Sequence, residues 1–389
     1  MGEDKARAVT TLLLSYVTFS MFRLSLGVAI PDIMVELSID EFKAGILYSA
    51  PLWSTAALLT PAGYLADKFE KKSILLLGYL VLGLGVMGLA LSSSYPATLA
   101  FLTLAGAGAG ILVPSYYTLV GEALKNVRGF AIGLAAGVYN IGGLLGSILV
   151  GFFVTLHNWR LAYLSIAVSI LCMLLLQLTI LKRSSTIDSK PRLLFSKLLK
   201  TRNITICTLG IFLGGVAMFA AAAWLPTFFI TVIRLDAAGA GLLLGLLYLA
   251  GAFGSILLGV LSDKLGRRMV TVISGLAAFF ITLVLFLTTY PFYVAATYVI
   301  AFGFLELPYW NLFLTIAQES VSRELVSSVT GLTQTFGLIG CAVGPVLAGA
   351  LISYMRLPLA LIFTTSFPTL AFGLLSLTLK EKQPKMVRE

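Results

Sequence analysis

Two ionisable side chains stand where charge is costly. Arg23 falls near the middle of an apolar run at 8–34, and Glu306 near the middle of another at 293–317. At the centre of a bilayer such a group costs roughly 2.5–3.5 kcal/mol on insertion scales, which makes it a functional candidate by default. An arginine presents a planar fork of donors that grips carboxylate or phosphate through two parallel bonds. A carboxyl among apolar groups is disfavoured in its charged form, which fits it to take up and release a proton. These residue types point to an anion received at Arg23 and a coupling proton carried at Glu306. An ion pair between them across a cavity, for which substrate or proton competes, is one expectation. A permanent Arg23–Glu306 strut joining two halves of the molecule is the alternative.

Helical spacing sets neighbours around each charge. Tyr16, Ser20 and Gly27 share a face with Arg23, and Phe302, Gly303, Tyr309 and Trp310 share one with Glu306. Tyr116, Tyr117, Trp224 and Asn311 are further cavity candidates. So are the amides Asn140 and Gln334, since a polar amide in hydrocarbon needs a partner. The one histidine, His157, sits in a short loop, and Cys172, Cys207 and Cys341 lie inside apolar spans without metal-ligand spacing. With no nucleophile–base pair, metal cluster or phosphate loop, the pattern excludes an enzyme and calls for no cofactor or metal. Gly106, Gly108 and Gly110 follow no strand, so they read as helix packing.

Something must hold these side chains in place, and composition says what. Of 389 residues, 59% are hydrophobic and 11% charged, with a mean hydropathy of +0.99; a soluble domain carries about a quarter charged residues. A membrane helix needs roughly 20 apolar residues. Twelve such segments are legible: 8–34, 43–66, 73–93, 96–119, 129–154 and 161–181, then 204–233, 241–262, 269–290, 293–317, 327–354 and 359–379. Backbone groups in lipid must bond internally, so these are helices and a barrel is excluded. The net charge of +10 would suggest nucleic acid in a soluble protein. Here, however, 22 of the 27 basic residues fall on the side of the N-terminus. That is the positive-inside asymmetry. It implies a multi-pass protein of the cytoplasmic membrane, both termini cytoplasmic, with no nucleic-acid partner. No cleavable signal peptide is evident at the first apolar run.

The two halves of the chain repeat. Residues 63–72, GYLADKFEKK, reappear as 259–268, GVLSDKLGRR, at an offset of 196. Gly45 matches Gly241 at the same offset, and Gly133, Gly142, Gly146 and Gly151 match Gly331, Gly340, Gly344 and Gly349 at 198. Two six-helix bundles are therefore expected at 1–181 and 204–389, with a basic cytoplasmic linker at 182–203 in which 193–199 forms a short surface helix. Neither Arg23 nor Glu306 is copied: the offset puts Phe219 and Gly110 in their places. A requirement of the scaffold would more naturally appear twice.

The block G-x-x-x-D-K-x-G-R-R, present after the second and eighth helices, resembles the loop signature of the major facilitator superfamily. The first copy departs from it in having Glu70 where glycine is usual. The resemblance implies an all-α fold of twelve transmembrane helices in two pseudo-symmetric bundles. It also implies secondary active transport by alternating access, with the chain acting as a monomer. By the same resemblance helices one, four, seven and ten line the cavity, each bearing a proline: Pro31, Pro114, Pro226 and Pro308. The loop residues Gly63, Asp67, Lys68, Lys71 and Lys72, with Gly259, Asp263, Lys264, Arg267 and Arg268, are implied to lock one conformation and release the other. Residues 22–31, FRLSLGVAIP, are similar to the first helix of organic-anion-transporting branches, where an arginine binds carboxylate. Phe22 and Leu102 depart from that pattern. The expected function is proton-coupled symport of a small organic anion, a monocarboxylate or sugar acid. An efflux antiporter for lipophilic or cationic compounds, with Glu306 as counter-ion, stays open. So does a non-transporting receptor or scaffold.

Overall fold

A computed structural model of the chain describes residues 3–124, 128–181, 201–322 and 325–380. The linker segment 182–200, with its expected surface helix, lies outside the described residues. The first six helices are α1 Glu3–Leu37, α2 Glu41–Lys68, α3 Lys71–Leu91, α4 Tyr95–Ala123, α5 Arg128–Thr155 and α6 Trp159–Ile180. Then follow α7 Arg202–Thr231, α8 Ala237–Leu265, α9 Arg267–Leu287, α10a Phe292–Glu306, α10b Tyr309–Glu319 and α11 Val326–Ile352. The last, α12, runs as Leu357–Leu361, a π-helical turn Ile362–Ser366, and Phe367–Ser376. Eleven of these helices are long and apolar enough to cross a membrane, the two α10 segments counted as one. The remaining one is α2, 28 residues long, which carries Glu41, Lys43, Asp67 and Lys68 at its ends.

Helix ends are set locally. Asp40, Asn158 and Asp236 accept bonds from the backbone N–H of Lys43, Leu161 and Gly239, capping α2, α6 and α8. The tenth span, expected at 293–317, is found at Phe292–Glu319 and is interrupted at Leu307–Pro308. Proline lacks the N–H that would serve the Phe304 carbonyl, and Gly254 of α8 packs against that carbonyl.

The same pairings build both halves. Helix α1 packs on α5 as α7 packs on α11, α2 on α4 as α8 on α10a, and α3 on α6 as α9 on α12. Contacts between the halves run mainly through α2 with α11, α5 with α8, and α1 with α7.

These inter-half contacts lie at one end of the molecule. Gly45 of α2 lies against the Pro345 carbonyl of α11, at 2.6 Å from where a Cβ would stand, and Gly241 of α8 against the Ser147 carbonyl of α5. Only a residue without a Cβ allows backbones this close. The Thr155 hydroxyl adds a cross-half bond at this end, accepting from the Ala238 N–H at 3.0 Å. At the opposite end of the same helices, Gly133 of α5, Gly259 of α8 and Gly331 of α11 meet no described atom within 4 Å of an added Cβ. Among the described residues the molecule is therefore shut at one end and open at the end bearing the two basic loops.

Gly241→Val sets a branched side chain against the Ser147 carbonyl and should hold the shut end apart. Pulsed electron-spin distances between labels at Leu156 and Thr231, exposed positions of the two halves, are expected to lengthen in the purified variant. An unchanged distribution would mean the seal does not depend on this contact.

Candidate substrate site and loop anchors

Arg23 lies mid-helix in α1. Its guanidinium sits 5.9 Å from the centroid of the Phe19 ring. Its electrostatic neighbours are Tyr139, Tyr16 and Tyr48 from its own half and Cys341 from α11. At the next residue the Leu24 carbonyl accepts from the Tyr248 hydroxyl of α8 at 3.1 Å, so this stretch of α1 borders the other half. No carboxylate of the described residues forms an ion pair with Arg23, and its buried Nε has no hydrogen-bond partner.

Glu306 ends α10a fully buried, and neither carboxyl oxygen has a hydrogen-bond partner. The expected Arg23–Glu306 ion pair is therefore not made in this conformation, and the permanent strut is excluded with it. Tyr309 has Cys341, Glu306 and Tyr139 as electrostatic neighbours, and Tyr139 and Cys341 in turn neighbour Arg23.

Around Arg23 the rings of α1, α4 and α5 converge. Tyr16 stacks on Tyr116 with centroids 3.9 Å apart and donates to the Tyr117 hydroxyl at 3.4 Å. The Tyr139 ring lies 5.7 Å from that of Tyr16. A narrow crevice beside Arg23 is closed by Phe19, Phe22, Tyr48, Leu52 and Thr55.

The other expected site residues divide. Asn140 is buried on α5, and Gln334 half-buried on α11. Trp310 is half-buried against Gly337. Three others have these surroundings. Ser20 spends its hydroxyl on the carbonyls of Tyr16 and Val17, both at 2.9 Å, and packs on Gly142. Trp224 donates its Nε1–H to the Pro345 carbonyl at 3.1 Å, bracing α7 on α11. Asn311 is exposed and joins Ser255, Ser262 and Arg267 around a cleft towards the open end. Packing claimed the first two, because a hydroxyl or indole in hydrocarbon bonds the nearest backbone carbonyl.

Tyr139 and Cys341 neighbour Arg23 and were not among the expected residues, being neutral and without motif. A signal existed for Tyr139: it lies three residues before Gly142, on the glycine stripe by which α5 packs on α1.

The basic loops are anchored within their own halves. Lys71, almost fully buried, pairs with Glu122 at the end of α4 at 2.5 Å. Arg267 pairs with Glu319 at the end of α10b at 2.9 Å and with Asp263 at 2.8 Å. Glu122 and Glu319 stand 197 residues apart, so the pairs are equivalent in the repeat. Lys72 donates to the carbonyls of Leu178 and Leu181 at the end of α6, a favourable place for a cation. Lys68 covers the Tyr64 ring at 4.5 Å, and Lys264 and Arg268 are exposed. The Asp67 side chain lies outside the described residues. Gly266 turns the second loop at φ 93°, whereas Glu70 in its place keeps φ −61°. The first loop therefore achieves its anchor without the left-handed turn.

Among the described residues, twelve helices in two matching sets, shut at one end and holding a mid-helix arginine and a buried carboxyl, define a multi-pass helical membrane protein. The chain belongs to the major facilitator superfamily, whose model matches residues 12–345; it is a transporter of that type and not an enzyme. The uncharacterised transporter YycB of Bacillus subtilis (strain 168) is 28% identical over 337 residues, 84% of this chain and 82% of its own. The cis,cis-muconate transport protein of Acinetobacter baylyi is 24% identical over 377 residues, 92% of this chain and 90% of its own. The fold is similar to the inward-facing, unoccupied crystal structure of a bacterial homologue of the human lysosomal transporter Spinster. That match has a TM-score of 0.81 at 16% identity, covering 97% of this chain and 95% of that one.

Glu122→Ala leaves the buried Lys71 ammonium without its carboxylate and is expected to cost about 1–3 kcal/mol. Glu319→Ala should cost less than about 1 kcal/mol, because Arg267 is more exposed and keeps Asp263. Thermal unfolding of the two variants in detergent checks the order. Equal shifts would show that the first anchor is no stronger than the second.

Proposed function

We propose that this chain carries a small organic anion, a carboxylate, together with a proton across the cytoplasmic membrane as a monomeric symporter. The observation that carries this reading is the guanidinium of Arg23, on a stretch of α1 that borders the other half, with tyrosines and a thiol as neighbours and no carboxylate paired with it. Such a cation is stabilised by any anion that reaches it, and an arginine fork fits a carboxylate in two parallel bonds. The relative that transports cis,cis-muconate, a carboxylate, supports the same substrate class.

Glu306 completes the cycle. A carboxylate with no bonded oxygen and no cation beside it is costly in hydrocarbon, and taking up a proton removes the charge. Glu306 sits at the break in α10, where rearrangement of α10a on α10b changes its surroundings. With the basic loops cytoplasmic, the present conformation is inward-open: substrate and proton leave through the open end. In the outward-open state the glycines of α5 and α11 now facing empty space close on α8 and α2, and Asp67 and Asp263 with their basic neighbours lock that end. The domains act as 1–181 and 204–389, joined by 182–203.

The test is transport in proteoliposomes with an imposed pH gradient. Arg23→Gln should lower carboxylate uptake roughly ten-fold or more, in keeping with loss of a charged hydrogen-bond pair, and Arg23→Lys should restore part of it. Glu306→Gln should abolish pH-driven accumulation while leaving exchange of labelled substrate intact. Accumulation that survives Glu306→Gln would remove the proton role; uptake of cationic dyes with indifference to carboxylates would reverse the substrate assignment.

A further inference from the structure

The crevice beside Arg23 lies within one half of the molecule. Arg23, Phe19 and Phe22 line it from α1, and Tyr48, Leu52 and Thr55 from α2, with α4 behind them. Three of its lining side chains are polar. Thr55 is occupied, since its hydroxyl bonds the Pro51 and Gly106 carbonyls at 2.6 and 2.9 Å. The other two are not. Tyr48 is 2% exposed and its hydroxyl has no hydrogen-bond partner. The Nε–H of Arg23 is also shut from solvent and unbonded.

A buried polar group left without a partner opposes folding, and here two of them, from different helices, border one crevice. The scaffold does not ask for them. At the offset of the repeat, Phe219 and Leu244 stand in the places of Arg23 and Tyr48, so the polar pair belongs to one half alone.

Chemistry narrows what could satisfy both donors. An arginine Nε–H only donates, and a phenol donates one proton. The crevice has room for about one water-sized group. A water would accept from both donors but bring two protons of its own, against rings, aliphatic carbons and one threonine oxygen. An oxygen of an anion brings lone pairs only, and a charge opposite to that of the guanidinium. A planar carboxylate can present a single oxygen to so small a space and keep its other oxygen and its body outside. The three oxygens of a sulfonate fan around the sulfur, so that bulkier head enters less well.

We propose that Tyr48 is a substrate-binding residue: one carboxylate oxygen enters the crevice between α1 and α2 and accepts from the Arg23 Nε–H and the Tyr48 hydroxyl together. The proposal rests on the anion reading given above and adds to it the donor that selects a carboxylate head.

Nuclear magnetic resonance of the full chain in lipid nanodiscs, isotopically labelled on arginine, tests it. The Arg23 Nε–H signal is identified by its loss in Arg23→Lys. The titrants are sodium acetate, a carboxylate with almost no body, and cis,cis-muconate, the permeant of one relative. Both should move the signal saturably. Tyr48→Phe keeps the ring and should weaken both roughly ten-fold, as expected for a lost bond to a charged group. Tyr163→Phe removes another buried, unbonded hydroxyl, one that does not line the crevice, and should leave both affinities unchanged. Methanesulfonate should bind several-fold more weakly than acetate. Full affinity in Tyr48→Phe, equal losses in Tyr48→Phe and Tyr163→Phe, or methanesulfonate binding as tightly as acetate would overturn the proposal and leave the anion reading standing. Chloride held more tightly than either carboxylate would assign the crevice to an inorganic ion and would likewise overturn it. An Arg23 signal that neither carboxylate moves would overturn both.

Discussion

A guanidinium held mid-helix in a membrane protein, with no carboxylate paired to it, must be tolerated by something other than a salt bridge. In this chain the tolerance comes from tyrosine hydroxyls, a thiol and the ring of Phe19, none of which cancels the charge. Across the boundary Glu306 is under the same constraint, with both oxygens unbonded. Arg23 and Glu306 are held apart, so the field of the guanidinium stands unneutralised in a region of low dielectric. Such a field acts far more strongly on a ligand than it would in water. The packing of α1 on α5 and the break in α10 can both be read as means of maintaining that separation.

The scaffold around this field is symmetric, and the field is not. Lys71–Glu122 and Arg267–Glu319 repeat at nearly the same offset as the loops they anchor, as do the glycines of α2, α5, α8 and α11. These pairs tie each loop to its own half.

Much of this was legible in the sequence. Twelve apolar runs, the duplicated loop and the sidedness of the lysines and arginines determined the fold, because hydrocarbon leaves so few choices for backbone and charge. Arg23 and Glu306 stood out for the same reason: each breaks the rule that governs its surroundings. Sequence reading says less where residues obey the rule. Trp224 and Ser20 were expected in the cavity, yet their polar atoms satisfy backbone carbonyls, a choice that depends on which neighbour is nearest and not on residue type. Tyr139 and Cys341 are unremarkable in a list of apolar helices and neighbour Arg23 only through the helix packing that brings α5 and α11 to it. The break in α10 was signalled by Pro308, but a proline alone does not distinguish a bend from a discontinuity.

The contacts that shut one end have a consequence of their own. They consist chiefly of carbonyl oxygens lying on glycine Cα atoms, supplemented by neutral bonds such as that from the Tyr248 hydroxyl to the Leu24 carbonyl. The ion pairs between described side chains lie inside one half or the other. A seam built this way owes its cohesion to dispersion and excluded volume, which salt does not screen. Its opening should answer to lipid lateral pressure and temperature, while ionic strength passes almost unnoticed.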